Sequence, residues 1–512
     1  MAAFSVAGFL LILAATRWGI GASPDSVAYL GTATSALNGL GWSVPFGSGG
    51  ALTQSPPLFP GVLALAGGAV GSLEAGARGL QALLMAANVL LVAAFLFRVG
   101  GRWTPIVGVA LAVTALPMLL IHSMAWSEPL FVFLGFSGLL VLGRASPPVR
   151  SLVLALAAGL MGLACLTRLA GVAFVLTGVI ALLAGHGTAW HKGLRAATFG
   201  AVASLPILAW SLWSAAVAGS LANRAIGVHL IGRTQVQQAV GTMAGWLLLP
   251  TSLPGLLKAA ILLIAVLAFA ALAFISIHRN DDTRSGGLLD ERRAFPREIR
   301  LLVLFIPTYV GVLVLATSFF DANVPWDDRI LSPVLYSGII LGSAVLGRVI
   351  DRQSKWRAWR PAKVLPLLLV GLWIVGQAVR SSAYLDEAYA NGLGFRHQIW
   401  RTSETLSLVD ALPQGTDLYS NSPEAIFLYT GRAARAIPRE ELRMSDRPNA
   451  GFPAEVAAMR QALTHGAVVY FNAVPAGSYP TVQELRQMLD PVRVDQAADG
   501  TILTLVPLAG SS

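Results

Sequence analysis

The sequence predicts an α-helical polytopic membrane protein of about eleven transmembrane helices, with interfacial helices in its first external loop and a small C-terminal α/β domain outside the cytoplasm. Three observations carry this expectation. Of the 512 residues 55% are hydrophobic and 12% charged, with a mean hydropathy of +0.67, whereas a soluble domain is about a quarter charged. Apolar stretches near the roughly twenty residues needed to cross a hydrocarbon core recur up to about residue 380 and then stop. Basic residues, finally, are divided unevenly between alternate connections.

The apolar stretches lie at residues 2–20, 81–97, 104–121, 129–143, 151–166, 169–185, 197–213, 256–277, 301–318, 333–347 and 364–380. The first has small residues near Ala15 but no basic segment ahead of it, so it reads as an uncleaved span rather than a signal peptide. One set of connections holds eighteen Lys and Arg: Arg98, Arg102, Arg144, Arg150, Lys192, Arg195, six arginines from Arg279 to Arg300, and six basic residues from Arg348 to Lys363. The other set holds eight, among them Arg17, Arg78, Arg168, Arg329 and Arg380. The positive-inside bias places the N-terminus in the cytoplasm and the C-terminal domain outside.

The formal net charge of +10 is therefore mostly topology, accounted for by arginines facing anionic lipid without any nucleic-acid partner. The cytoplasmic connections carry no Gly-rich phosphate loop, and HRNDDTRSGGLLDERRAFPREIR reads as a solvated linker. The single cysteine, Cys165, sits in an apolar run, which excludes an intramolecular disulfide and a cysteine-based metal cluster.

The first external connection, residues 21–80, contains SVAYLGTATSALNGL preceded by Ser23, Pro24 and Asp25, a helix-start pattern. A second helix is expected after QSPPLFPG. Both should lie on the outer leaflet. From residue 381, HQIWRTSETLSLVDAL, SPEAIFLYTG and TVQELRQML read as helices, and DLYSN and AVVYFNA as strands, an alternation that suggests a small α/β unit. With ten basic and fourteen acidic residues this unit is no nucleic-acid module. Trp400, Tyr419, Asn421 and Arg432 are polar or aromatic candidates there, for which core packing is the expected role.

Chemistry is concentrated on the external face. Asp25 is the one acid in the first seventy residues, and Glu128 opens the fourth span in SEPLF. Glu128 suits an N-cap, and an ionisable group at membrane depth is also a functional candidate. Arg168 lies in CLTRLAGVAF and Arg329 in VPWDDRILSP, where each guanidinium could snorkel to lipid or bind phosphate oxygens, and Arg329 could also pair with Asp327 or Asp328. His122 shares the connection with Glu128, without a second histidine that would make a metal site. A carboxylate can act as general base toward a hydroxyl and arginines can stabilise a phosphate leaving group. Together these point to group transfer from a lipid phosphate.

The order of PDSVAY after the first span, a PPLFPG segment, SEPLF, TRLAG and DDRILSP resembles the polyprenyl-phosphate-sugar-dependent glycosyltransferases of the GT-C fold, including the protein O-mannosyltransferase-like and aminoarabinose-transferase-like families. The resemblance covers roughly residues 1 to 345. It implies a polyprenyl-phosphate-linked sugar as donor, a lipid, glycan or protein hydroxyl as acceptor, and inversion at the anomeric carbon. It further implies Asp25 as the base, Glu128 positioning the acceptor or supporting the site, and Arg168 and Arg329 facing the donor phosphate; beside these, His122 is a candidate proton relay or phosphate contact, and Tyr29 and Asp328 are candidates for contacting substrate. Relatives often have two adjacent acids in the first loop, where this chain has Pro24 before Asp25.

No cofactor or metal is expected; a divalent ion shared by Asp25 and Glu128 is the less favoured alternative. The competing function is a lipid or polysaccharide transporter or flippase, which would call for midplane acids, broken helices or an internal repeat. A membrane anchor for the C-terminal unit would need only one or two spans.

Overall fold

The structure is a computed structural model that describes residues 1–505 except 48, 102, 146–149, 220–226, 229, 279–294, 322, 354–359, 442–447, 476 and 478. Most of the predicted linker over residues 278–300 lies outside the described residues, as do Arg102 and Arg224.

From the N-terminus, α1 (Ala2–Ala15) leads into the two helices of the first loop, α2 (Pro24–Leu37) and α3 (Leu58–Val70). Then come α4 (Leu73–Leu96), α5 (Thr104–Thr114), α6 (Leu116–Ser123), α7 (Glu128–Gly143), α8 (Arg150–Thr167) and α9 (Val172–Leu183). They are followed by α10 (Ala189–Ala218), α11 (Arg233–Trp246), α12 (Gly255–His278), α13 (Arg297–Phe319), α14 (Ser332–Gln353) and α15 (Arg360–Asn391). Every predicted apolar stretch coincides with one of these helices or, for residues 104–121, with the pair α5 and α6. That pair is bent by 56°, because Pro117 in the first turn of α6 brings no N–H and crowds the preceding turn; the Thr114 carbonyl at the break accepts from Ser381 Oγ at 2.7 Å.

Among the described residues six helices are long and apolar enough to cross a membrane, or seven with the bent pair counted as one. The protein is thus a multi-pass membrane protein. Leu263, Ile264, Val266 and Leu267 of α12 are 58–65% exposed, a surface that suits lipid and not water. The inner faces interlock through aromatic rings: Phe174 of α9 stacks on Phe305 of α13 at 4.4 Å between centroids, and Phe136 of α7 meets Tyr336 of α14 at 4.6 Å. This packing holds α7, α9, α13 and α14 as one frame, whose ends carry the polar residues described below.

The start of α2 follows the helix-start pattern in SPD. Ser23 is the N-cap and its Oγ accepts from Ser26 N at 3.4 Å, while Pro24 and Asp25 occupy the first turn. α4 begins at Leu73, earlier than the apolar run, since Ser72 caps it and Glu74 sits in its first turn.

Beyond α15 the chain forms α16 (Gln398–Arg401), α17 (Glu404–Asp410), β1 (Asp417–Ser420), α18 (Pro423–Thr430), β2 (Arg435–Ala436), α19 (Phe452–Ala462), β3 (Gly466–Phe471), α20 (Val482–Leu489), β4 (Arg493–Gln496) and β5 (Gly500–Thr504). The sheet order is β2-β1-β3-β5-β4, parallel around β1 and antiparallel around β5. The central strand β3, GAVVYF, is buried along its whole length, as a strand covered on both faces should be. Trp400 lies between Phe395 and Phe471 at 5.1 and 5.2 Å. Asn421 both donates to Phe471 O and accepts from Phe471 N at 2.9 Å. Arg432 donates to three carbonyls, those of Val409, Leu412 and Pro413, and the Tyr419 hydroxyl accepts from Arg435. All four C-terminal candidates thus have packing or architectural partners.

The first loop is held between the two halves of the molecule. Gly21 N donates to Ser123 O at 2.9 Å and Ala125 N to Gly21 O at 2.8 Å, while Phe395 N donates to Ala22 O at 2.7 Å. Gly394 sits at φ +57°, and a Cβ there would come within 2.1 Å of Ala22 O. Gly394→Ala is therefore expected to destabilise the protein by at least about 1–2 kcal/mol from the left-handed backbone alone, with the clash added. Thermal unfolding in detergent measures this, and an unchanged midpoint would mean that the junction around Gly394 does not need the close approach to Ala22 O.

Candidate active site

Four ionisable side chains converge where the first loop meets the ends of α7 and α8 and the connection between α13 and α14. Asp25 arrives in the first turn of α2, and Glu128 as the first residue of α7, where Pro129 sets the turn. Arg168 follows α8 in an extended conformation (φ −151°, ψ 138°) that breaks the helix before a short 3-10 turn, Leu169–Gly171. That turn needs Gly171, because a Cβ there would lie 2.5 Å from Cys165 N. Arg329 is set by Asp327, whose Oδ1 accepts from Arg329 N and Ile330 N at 3.1 and 3.0 Å.

The four form an alternating line of charge. Arg168 Nη1 donates to Glu128 Oε1 at 2.6 Å, and Arg329 Nε donates to the same oxygen. Arg329 Nη1 donates to Asp25 Oδ2 at 2.8 Å. Burial grades along the line: the Glu128 side chain is 2% exposed, Arg329 16% and Asp25 49%. Glu128 is thus an internal anchor for two guanidinium groups, whereas Asp25 faces outward. Glu128 Oε2 is buried with no hydrogen-bond partner among the described residues, an uncommon state for a carboxylate oxygen.

Burial works to lower the Arg329 pKa, but the Glu128 and Asp25 carboxylates outweigh it and hold the guanidinium above its ordinary value. The Trp126 ring lies against Arg329, 4.5 Å from its centroid to the guanidinium carbon, a cation–π contact. Trp126 is itself fixed, since its Nε1 donates to Ser23 Oγ at 2.8 Å and its carbonyl accepts from Gln81 at 2.7 Å. Ser127 Oγ accepts from Arg168 Nη1 at 3.2 Å.

Tyr29 is buried beside the cluster, edge-on to Phe59; burial pushes its phenol pKa up and the negative charge of Asp25 adds to the effect. His122 is not brought to the line. Its Nδ1 is 2.6 Å from the Met118 carbonyl and so carries the proton, leaving Nε2 to accept from Asn88 Nδ2 at 3.0 Å. Both ring nitrogens are used inside the bundle. Asn88 also donates to the Pro129 carbonyl at 3.0 Å, so His122 bears on the site only by bracing the first turn of α7. Asp328 turns away as well: its Oδ1 accepts from Trp246 Nε1 at 2.7 Å, tying the connection to α11, and burial pushes its carboxyl pKa up. Trp126, Ser127, Asn88 and Gln81 are site-supporting residues that residue type alone does not reveal; the Trp126 position inside HSMAWSEPLF was the available signal.

Among the described residues no group of three His, Cys, Asp or Glu side chains is placed to hold a metal ion. Asp25 and Glu128 are bridged by the Arg329 guanidinium, whose positive charge takes the place that a divalent ion shared by the two carboxylates would need. What the line can do is hold an anion with two arginines and offer an outward carboxylate beside it.

No family model matches the chain, and no curated protein is similar to it in sequence. Solved structures are similar in fold. ArnT from Cupriavidus metallidurans superposes with a TM-score of 0.62 at 12% identity over 98% of this chain and 97% of its own, and has also been solved bound to undecaprenyl phosphate. The Archaeoglobus fulgidus oligosaccharyltransferase matches at 0.57 and 13% identity, over 91% of this chain and 68% of its own; a further structure holds an inhibitory peptide and a dolichol-phosphate. The arabinofuranosyltransferase AftD from Mycobacteria matches at 0.55 and 15% identity, over 98% of this chain and 39% of its own. The chain has the GT-C fold of these glycosyltransferases.

Proposed function

We propose that the protein is a membrane glycosyltransferase that moves a sugar from a polyprenyl-phosphate donor to a hydroxyl acceptor on the extracytoplasmic face, with inversion. The observation that carries this reading is the line Asp25, Arg329, Glu128, Arg168 at one end of the bundle. The fold shared with ArnT and the oligosaccharyltransferase, both solved with polyprenyl phosphates, supports the donor class. In this reading all eleven apolar stretches cross the membrane, the N-terminus is cytoplasmic, and residues 381–512 form a domain outside.

The step is a displacement. Asp25 takes the proton of the acceptor hydroxyl, the acceptor oxygen bonds to the anomeric carbon, and the bond from that carbon to the phosphate oxygen breaks with its electron pair leaving on phosphate. The carboxylate loses one negative charge as the phosphate gains one. Arg329 stands between the two places, so the charge shifts across a guanidinium that is already fixed on Glu128, at little reorganisation cost. Arg168 completes the phosphate contact. In the resting arrangement Arg329 is engaged by Asp25; donor phosphate entering on Arg329 releases the carboxylate for the acceptor. No metal enters the step.

The prenyl tail has a place to lie. An apolar groove of about 820 Å³ runs between α2 and α3, lined by Leu37, Trp42, Leu58, Val62, Leu65 and Leu166. Leu166 brings the end of α8 into the groove wall, two residues before Arg168 in the chain.

In proteoliposomes a labelled polyprenyl-phosphate sugar should be consumed and polyprenyl phosphate released when a hydroxyl acceptor is present. Arg168→Gln should weaken retention of labelled polyprenyl phosphate by roughly 10- to 150-fold, the range for losing a charged hydrogen bond. Unchanged retention by that variant would remove Arg168 from the donor site.

A further inference from the structure

A second cluster of basic side chains lies at the opposite end of the bundle from the line described above. Arg150, Arg195, Arg297 and Arg300, together with His186, line a cavity of about 370 Å³. Among the described residues none of its lining side chains is acidic. Three elements run from one site to the other. α7 begins at Glu128 and ends at Gly143, two residues before Ala145, whose carbonyl accepts from Arg297 at 3.3 Å. α8 begins at Arg150 and is followed by Arg168, and α13 begins at Arg297 and leads to the connection that holds Arg329. At 1.5 Å per residue, the 18 residues of α8 separate the two arginine clusters by about 27 Å, close to the thickness of a hydrocarbon core.

The arginines do not neutralise one another. Besides its burial, the Arg297 guanidinium is repelled by Arg150 and Arg300 and attracted only by Glu298, which is shared with Arg98 at 3.4 Å; one carboxylate against this many guanidinium groups at a membrane border leaves positive charge for an anion to meet. The wall below the arginines is apolar, formed by Leu154, Leu301 and Leu304. A cationic rim over an apolar wall fits an amphiphile whose anionic group sits at the interface, and basic pockets between membrane helices on the cytoplasmic side suit phospholipid headgroups. Guanidinium forks match phosphate oxygens in pairs.

We propose that this cavity binds the phosphate of an anionic phospholipid headgroup in the leaflet opposite the transfer site. It is a site for a resident lipid, separate from the donor and acceptor sites, and does not depend on the glycosyltransferase reading.

The test uses the full-length protein in nanodiscs and in detergent, with native mass spectrometry to count bound phosphatidylglycerol or cardiolipin against phosphatidylcholine. Wild type should retain the anionic lipids selectively. The Arg195→Gln/Arg300→Gln double variant should lose about fivefold in affinity per arginine, roughly thirtyfold in all. Arg144→Gln, which removes one charge outside the cavity lining and so matches the single variant Arg300→Gln, should leave retention unchanged. Competition by soluble glycerophosphate or inorganic phosphate as effective as by the lipid would reassign the site to a free phosphate and overturn the lipid proposal. So would equal retention of phosphatidylcholine, or a double variant that binds as wild type does. A double variant that does not fold is replaced by Arg300→Gln alone, which should show the single-residue loss; Arg300 is exposed at the rim.

Discussion

Asp25→Asn is expected to lower sugar transfer by about 10²- to 10⁴-fold, the usual worth of a general base, while the protein still folds and still holds the donor lipid. The substitution keeps the size of the side chain and leaves an oxygen facing Arg329 Nη1, so the geometry of the phosphate contacts survives. It removes only the capacity to take a proton. Because Asp25 is 49% exposed, its ion pair with Arg329 adds little to stability, as is general for pairs in contact with water. Initial rates in proteoliposomes, read beside retention of labelled polyprenyl phosphate, separate the two effects. A variant that transfers at the parental rate would end the role assigned to this carboxylate; one that fails to bind donor would move Asp25 from base to binding residue.

Glu128→Gln should behave in the opposite way, losing stability as well as activity. The Glu128 carboxylate is the shared internal partner of Arg168 and Arg329, and removing one member of a buried ion pair costs about 3–5 kcal/mol because the other charge stays behind. Here two guanidinium groups would stay behind. The change should therefore lower the unfolding temperature and abolish transfer together. One further measurement identifies the cause: polyprenyl phosphate should stabilise Glu128→Gln more than it stabilises wild type, since the ligand supplies the missing negative charge. Equal stabilisation of both proteins would show that the phosphate does not reach these arginines.

The helical frame was largely legible because its signal is local. Every apolar stretch became helix, and Ser23, Pro24 and Asp25 marked the start of α2 correctly. The convergence of Asp25, Glu128, Arg168 and Arg329 was legible only as a list of residues on one side; that Glu128 would serve both arginines depends on packing between distant elements. His122 and Asp328 show the limit. Both sit in the right connections, yet Asn88 and Trp246, from α4 and α11, claim their polar atoms, and nothing near them in sequence says so. The C-terminal sheet was half readable. β1 is buried from Leu418 to Ser420 and β3 along its whole length, whereas β2 has two residues and β4 is the polar edge sequence RVDQ, too short or too wet to show a periodicity; β5, GTILT, is buried as well but is not among the strands expected from the sequence.

The Ala22 carbonyl is met by Phe395 N, and this ties the timing of the active site to protein synthesis. The base-bearing loop leaves the ribosome early, but the backbone that completes its setting comes more than 370 residues later. At about 5–20 residues per second the delay is roughly 20 to 75 s. During that interval the nascent chain can insert its helices with the first loop still unanchored on this side, so the line from Asp25 to Arg168 reaches its final setting only once residues 393–395 have followed α15.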